Sequence, residues 1–101
     1  MTKPVKISTI LDVVERIANK HLSNPEASVE VSLYLKGVEV YLDPIDFKNK
    51  PKDFKQIRSE LEKEIEEHAT NGLFEVRQLS VDILDSEEEV LEEHDYLGEE
   101  L

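Results

Sequence analysis

Val29-Glu30-Val31-Ser32-Leu33-Tyr34-Leu35-Lys36-Gly37-Val38-Glu39-Val40-Tyr41-Leu42 alternates apolar and polar residues on both sides of a Lys-Gly pair. A period of two is the signature of a half-buried strand, because successive side chains of an extended chain point to opposite faces. With Lys36-Gly37 as a two-residue loop, Leu35 pairs with Val38, Leu33 with Val40 and Val31 with Leu42. Every apolar side chain then lands on one face. The opposite face receives Ser32, Tyr34, Glu39 and Tyr41. The chain therefore contains a β-hairpin with one face that needs covering, and the flanking sequence must supply the cover.

Upstream, Ile10, Val13, Val14, Ile17 and His21 fall on one helical stripe, with Leu11, Ala18 and Leu22 beside it. Thr9 and Asp12 have the spacing of a capping box, and Ser23-Asn24-Pro25 ends the segment. Downstream, Asp43-Pro44 opens a connection with a short helical turn through Phe47, and Pro51 introduces the next element. Phe54, Ile57, Leu61, Ile65 and His68 then recur at spacings of three and four. They describe a long amphipathic helix that stops at Asn71-Gly72. Leu73 to Leu84 reads as a third strand whose alternation slips from Phe74 and Val76 to Leu79, Val81 and Ile83, which a bulge near Arg77-Gln78 reconciles. Ser86-Glu87-Glu88-Glu89 has capping-box form, and Val90, His94 and Leu97 follow at helical spacing, so the end is read as a short docked helix or a partly disordered tail. The expectation is one α+β domain in the order α-β-β-α-β over residues 1–85, with an acidic C-terminal helix or tail over 86–101.

In 101 residues there are 24 Asp and Glu against 12 Lys and Arg, a formal net charge of −12, and no cysteine. Thiolate metal centres, redox pairs and disulfides are excluded, and a cytoplasmic setting is expected, in a bacterial host if the chain is phage-encoded. No apolar run reaches membrane-span length. The charge is uneven. Through Arg58 there are ten basic and eight acidic residues; after it there are two basic and sixteen acidic. Beyond Arg77 come ten acids in 24 residues with no lysine or arginine. Such a surface repels nucleic acid and anionic membranes, so neither is an expected direct partner.

Catalytic and cofactor signatures are absent from the sequence. His21, His68 and His94 show no paired ligand spacing, the three glycines form no phosphate cradle, and no G-x-S-x-G turn or calcium loop occurs. No catalytic residue, metal or cofactor is expected, and the chain is read as non-enzymatic. What remains is the acidity. Five glutamates between positions 60 and 67, on a helix rising about 1.5 Å per residue, approach the charge density of duplex DNA, one charge per about 1.7 Å of axis. Basic i,i+4 partners are scarce, and the clustering repels itself unless a basic partner relieves it.

In size, acidity, lack of cysteine and the acid-rich stretches 60–67 and 82–100, the chain resembles the small phage-encoded DNA-mimic proteins that inhibit host DNA-binding proteins, including those that block the nucleoid protein HU. That resemblance implies stoichiometric occupation of a basic DNA-binding groove. The residues expected to stand in for phosphates are Glu60, Glu64 and Glu67 on the long helix, and Asp82, Asp85, Glu87, Glu88, Glu89, Glu92 and Glu93 beyond it. A second reading is an adaptor or accessory subunit that docks through Val90-Leu91 and Tyr96-Leu97. A third has Tyr34 and Tyr41 on the outer hairpin face pairing with another protein or with a second copy, as a homodimer.

Overall fold

The hairpin takes the expected register, with Leu35 opposite Val38 and Leu33 opposite Val40, between β2 (Ser28–Leu35) and β3 (Val38–Tyr41). Gly37 holds a φ of +81° in the turn, a conformation that costs a residue with a Cβ. These strands belong to a computed structural model that describes residues 3–48, 54–69 and 71–101. The described residues form an α+β domain of two α-helices and a six-stranded antiparallel sheet.

Chain order runs β1 (Lys3–Lys6), α1 (Ile7–Ala18), β2, β3, β4 (Ile45–Asp46), α2 (Lys55–Glu66), β5 (Leu73–Leu84) and β6 (Val90–Leu97), with single 3₁₀ turns at Asn19–His21 and Gly98–Glu100. β5 and β2 pair at the centre. The outer edge of β2 carries β3 and β4, and the outer edge of β5 carries β1 and β6 end to end. The slip in the apolar pattern is a bulge: Tyr34 faces Gln78 while Leu35 faces Val76, leaving Arg77 as the extra residue. Phe74, Val76, Leu79, Val81 and Ile83 consequently all reach the same buried face.

That face is covered by both helices. α1 contributes Ile10, Leu11, Val14 and Ile17, and α2 contributes Ile57, Leu61 and Ile65, to one core with the inward residues of β2 and β5. Arg58 on α2 donates to Asp12 Oδ1 at 2.8 Å and to Glu15 Oε1 at 3.2 Å on α1, aligning the two helices. Partly exposed pairs of this kind each contribute about 1 kcal/mol or less, so the core dominates.

The structure corrects the sequence reading at four points. Residues 86–101 are not a helix or tail: 86–89 form a turn and 90–97 form β6, hydrogen-bonded along β5 from Leu84 to Gln78. The Ser-x-x-Glu pattern that suits a helix start here closes a hairpin, in which Asp85 Oδ1 accepts from the backbone of Glu87 and Glu89, and Glu88 adopts a φ of 63°. The segment is therefore part of the same sheet as the rest, not a separate appendage. Second, α1 begins at Ile7 behind β1, with Lys6 at the N-cap and no side-chain cap, so Thr9 lies inside the helix. Third, the connection after Pro44 is extended: Ile45 and Phe47, two residues apart, are both buried, and Phe47 donates to Ala27 O at 3.0 Å. Fourth, the order gains β1 and β4, giving β-α-β-β-β-α-β-β in place of α-β-β-α-β. Pro51 lies outside the described residues. α2 ends at Glu66, so His68 lies beyond it and the helix stops short of the expected Asn71-Gly72, where both residues hold positive φ, 56° and 76°.

Candidate functional site

The helices cover one face of the sheet, and none of the described elements packs over the other. The uncovered face is built from the alternate residues of four strands: Ser28, Glu30, Ser32 and Tyr34 of β2, Glu39 and Tyr41 of β3, Gln78, Ser80 and Asp82 of β5, and Glu93, Asp95 and Leu97 of β6. Register makes it acidic. Glu30 stands opposite Asp82, and Asp82 opposite Glu93, so three carboxylates line up across three adjacent strands. Neighbouring strands lie about 4.8 Å apart and same-face residues about 7 Å apart along a strand. Asp95 continues the line one step along β6, its Oδ1 accepting from Ser80 Oγ at 2.7 Å. At one end of this face Asp46, Asp85 and Glu88 gather with Glu26 around a shallow recess.

Asp82 is the stressed member of the row. Its Oδ1 is buried and accepts no hydrogen bond among the described residues. Burial raises its pKa above the usual aspartate value, and the charges of Glu93, Glu30 and Asp95 add to the rise. A pKa raised by folding means the group favours the folded state below its unfolded pKa and opposes it as pH rises through the folded one. Asp82→Asn is therefore expected to raise stability at pH 7 by about 1 kcal/mol, through relief of two like-charge cross-strand pairs. That corresponds to roughly 4–8 °C in Tm, and the difference from wild type should close as pH falls below the aspartate range. Thermal denaturation at pH 7 and pH 3 measures both; an unchanged or lower Tm at pH 7 would show that the row is not self-repelling.

The opposite face of β6 does something else. Glu92, His94 and Tyr96 point to the helix side, and the Glu92 carboxylate meets His21 Nε2 at 2.5 Å, His94 Nε2 at 2.6 Å and Lys20 Nζ at 3.0 Å. The Lys20 and His21 contacts pin the edge strand to the 3₁₀ turn that follows α1. The hydrogen bonds from His21, His94 and Lys20 hold the carboxyl at a pKa of about 2, below the ordinary 4.5. The contribution is thus full above pH 4.5 and is lost as pH falls towards 2. Glu92→Gln is expected to lower stability near neutrality, with the deficit shrinking over that interval. Melting curves at stepped pH test it, and a deficit that persists unchanged at pH 2 would exclude Glu92 as the source.

The ten acids singled out by sequence divide. Asp82 and Glu93 lie on the uncovered face, and Asp85, Glu87, Glu88 and Glu89 lie in the turn at its end. Glu60 and Glu64 on α2, with Glu67 just beyond it, lie on the helix side of the sheet, on the flank of α2 away from Arg58 and α1. Glu92 is committed to the histidine contacts. The acidic helix and the acidic sheet face are on opposite sides of the molecule and do not merge. Sequence reasoning missed Glu30 and Asp95, whose only signal was their phase in the alternation. It also missed that His21 and His94, far apart in the chain, share the Glu92 carboxylate. Among the described residues no group of histidines and carboxylates is arranged to hold a metal ion, and no helix is long and apolar enough to cross a membrane. No protein-family model, curated protein or solved structure matches this chain.

Proposed function

We propose that the protein is a non-enzymatic DNA mimic, which inhibits a basic nucleic-acid-binding protein of the bacterial cytoplasm, of the type of the nucleoid protein HU, by occupying its DNA-binding surface. The observation that carries this reading is the Glu30–Asp82–Glu93 row on an uncovered sheet face. Like charges placed opposite each other weaken a sheet. A basic groove offsets that cost, and the attraction falls as salt screens it. Asp82, Asp85, Glu87 to Glu89 and Glu93, extended by Glu30 and Asp95, are the phosphate substitutes in this reading; the flank of Glu60, Glu64 and Glu67 is a separate, secondary surface.

The test is capture of partners from nuclease-treated bacterial lysate on the immobilised protein, with stepped salt elution. The expected result is a basic DNA-binding protein that elutes as salt rises and is displaced by duplex DNA. Recovery only of salt-resistant, non-basic proteins would overturn the mimic reading and favour an adaptor. One observation speaks for that second reading: among the described residues β6 pairs only with β5, and Val90, Leu91 and Leu97 along it are each about half exposed. Such an edge can accept an added strand.

A further inference from the structure

At the end of the uncovered face away from the β5–β6 turn lies a recess of about 390 Å³ lined by Tyr34, Glu39, Arg77, Gln78, Leu97 and Glu99. Four of these residues form a single row across four strands: Glu39 opposite Tyr34, Tyr34 opposite Gln78, Gln78 opposite Leu97. The bulge at Arg77 shapes one side of it. The Tyr34 and Tyr41 rings brace each other in a T-shaped pair, with centroids 5.9 Å apart and planes at 89°. Tyr41 in turn donates its hydroxyl to Glu39 Oε2 at 2.7 Å, which fixes that carboxylate beside the recess. Among the described residues lining the recess the one cation is Arg77, whose Nη2 stands 3.8 Å from Glu39 Oε1 with both side chains about half exposed, a loose and solvated contact.

We propose that this recess seats one arginine side chain of the basic partner, the guanidinium lying against Tyr34 between the carboxylates of Glu39 and Glu99. This inference rests on the reading of the acidic face as a partner surface, and names the group that anchors it. A guanidinium suits the recess better than an ammonium because it is planar, stacks on an aromatic ring and offers forked donors to two carboxylates. Tyrosine and arginine are also the residues on which binding energy concentrates at interfaces. The remaining acids of the face attract basic groups without distinguishing lysine from arginine.

The probes are two fluorescent peptides of equal length and charge, one of arginines and one of lysines, titrated against the intact protein by anisotropy at matched low and moderate salt. The arginine peptide is expected to bind about tenfold more tightly. Tyr34→Leu should bring the two affinities together while leaving the lysine peptide unchanged. Arg77→Gln, which withdraws the resident cation, should tighten the arginine peptide a few-fold, and it tests the seat without touching the aromatic floor. Equal, salt-dependent binding of both peptides to the wild type would overturn the arginine seat and leave the acidic face standing. Absence of binding by either peptide at low salt would overturn both.

Discussion

A chain carrying Glu30→Lys, Glu93→Lys and Asp95→Lys is expected to lose at least about 100-fold in affinity for a captured basic partner. Reversing Glu60, Glu64 and Glu67 to lysine is expected to cost less than about tenfold. Each reversal turns an attraction into a repulsion, and close interfacial charge pairs carry coupling energies of about 1.5 kcal/mol or more; three such losses exceed a hundredfold, since 1.4 kcal/mol is about a factor of ten. The helix set lies on the opposite side of the sheet and acts only through the long-range field, which salt screens beyond about 10 Å at 0.1 M. The sheet variant should remain folded, because lysines at positions 30 and 93 would flank Asp82 with opposite charge in place of like charge. Titration of the partner at one salt concentration, with a melting curve for each variant, decides the matter. Equal losses for the two sets would place α2 in the interface and remove the sheet face from its primary role.

Gly98→Ala is expected to cost about 3 kcal/mol of folding stability, a large part of the roughly 5–15 kcal/mol that holds a domain of this size. Gly98 lies where β1 and β6 meet along the edge of β5, and a Cβ there would run into the backbone carbonyl oxygen of Val76 and stand 2.9 Å from its carbon. The obstacle is backbone, so no rotamer change relieves it. Either the turn at Gly98–Glu100 lifts away or the β5 edge moves. Lifting breaks the bond from Leu97 N–H to Glu100 Oε1 at 2.8 Å and that from Lys3 Nζ to Leu101 O at 2.7 Å. Urea denaturation measures the loss; a value under about 0.5 kcal/mol would mean that the segment shifts without consequence.

The elements legible in the sequence were those whose apolar residues keep one period for long enough. The hairpin register, the stripes of both helices and the bulge at Arg77 follow from where Val, Leu and Ile fall. β1 and β4 escaped because they are too short to show a period: β1 buries only Val5, and β4 only Ile45. β6 escaped for a different reason. Its positions facing the helices hold Glu92, His94 and Tyr96, and Glu92 is secured by ionic and hydrogen-bonded contacts to Lys20 and His21 in the turn after α1, with His94 on the same carboxylate. A strand held that way shows no hydrophobic alternation, and the Val90, His94 and Leu97 spacing mimics a helix. The site was half legible for the same cause. Asp82 and Glu93 stood out by local density of charge, whereas Glu30 joins them only through pairing of strands more than fifty residues apart.

The position of β5 also dictates the order in which the molecule can assemble. β1 and β2 do not pair with each other; each finds its partner in β5, which comes far later in the chain than either. Until residue 84 has been synthesised, the hairpin and both helices have no central strand on which to close, and the apolar face of β2 stays exposed. Closing such distant contacts is entropically costly and slow, and the unfinished chain is open to aggregation meanwhile. Folding is therefore a late, concerted event following release of β5, and because most of the acid excess lies beyond β5 the waiting chain is close to neutral and has little charge repulsion to keep neighbouring copies apart.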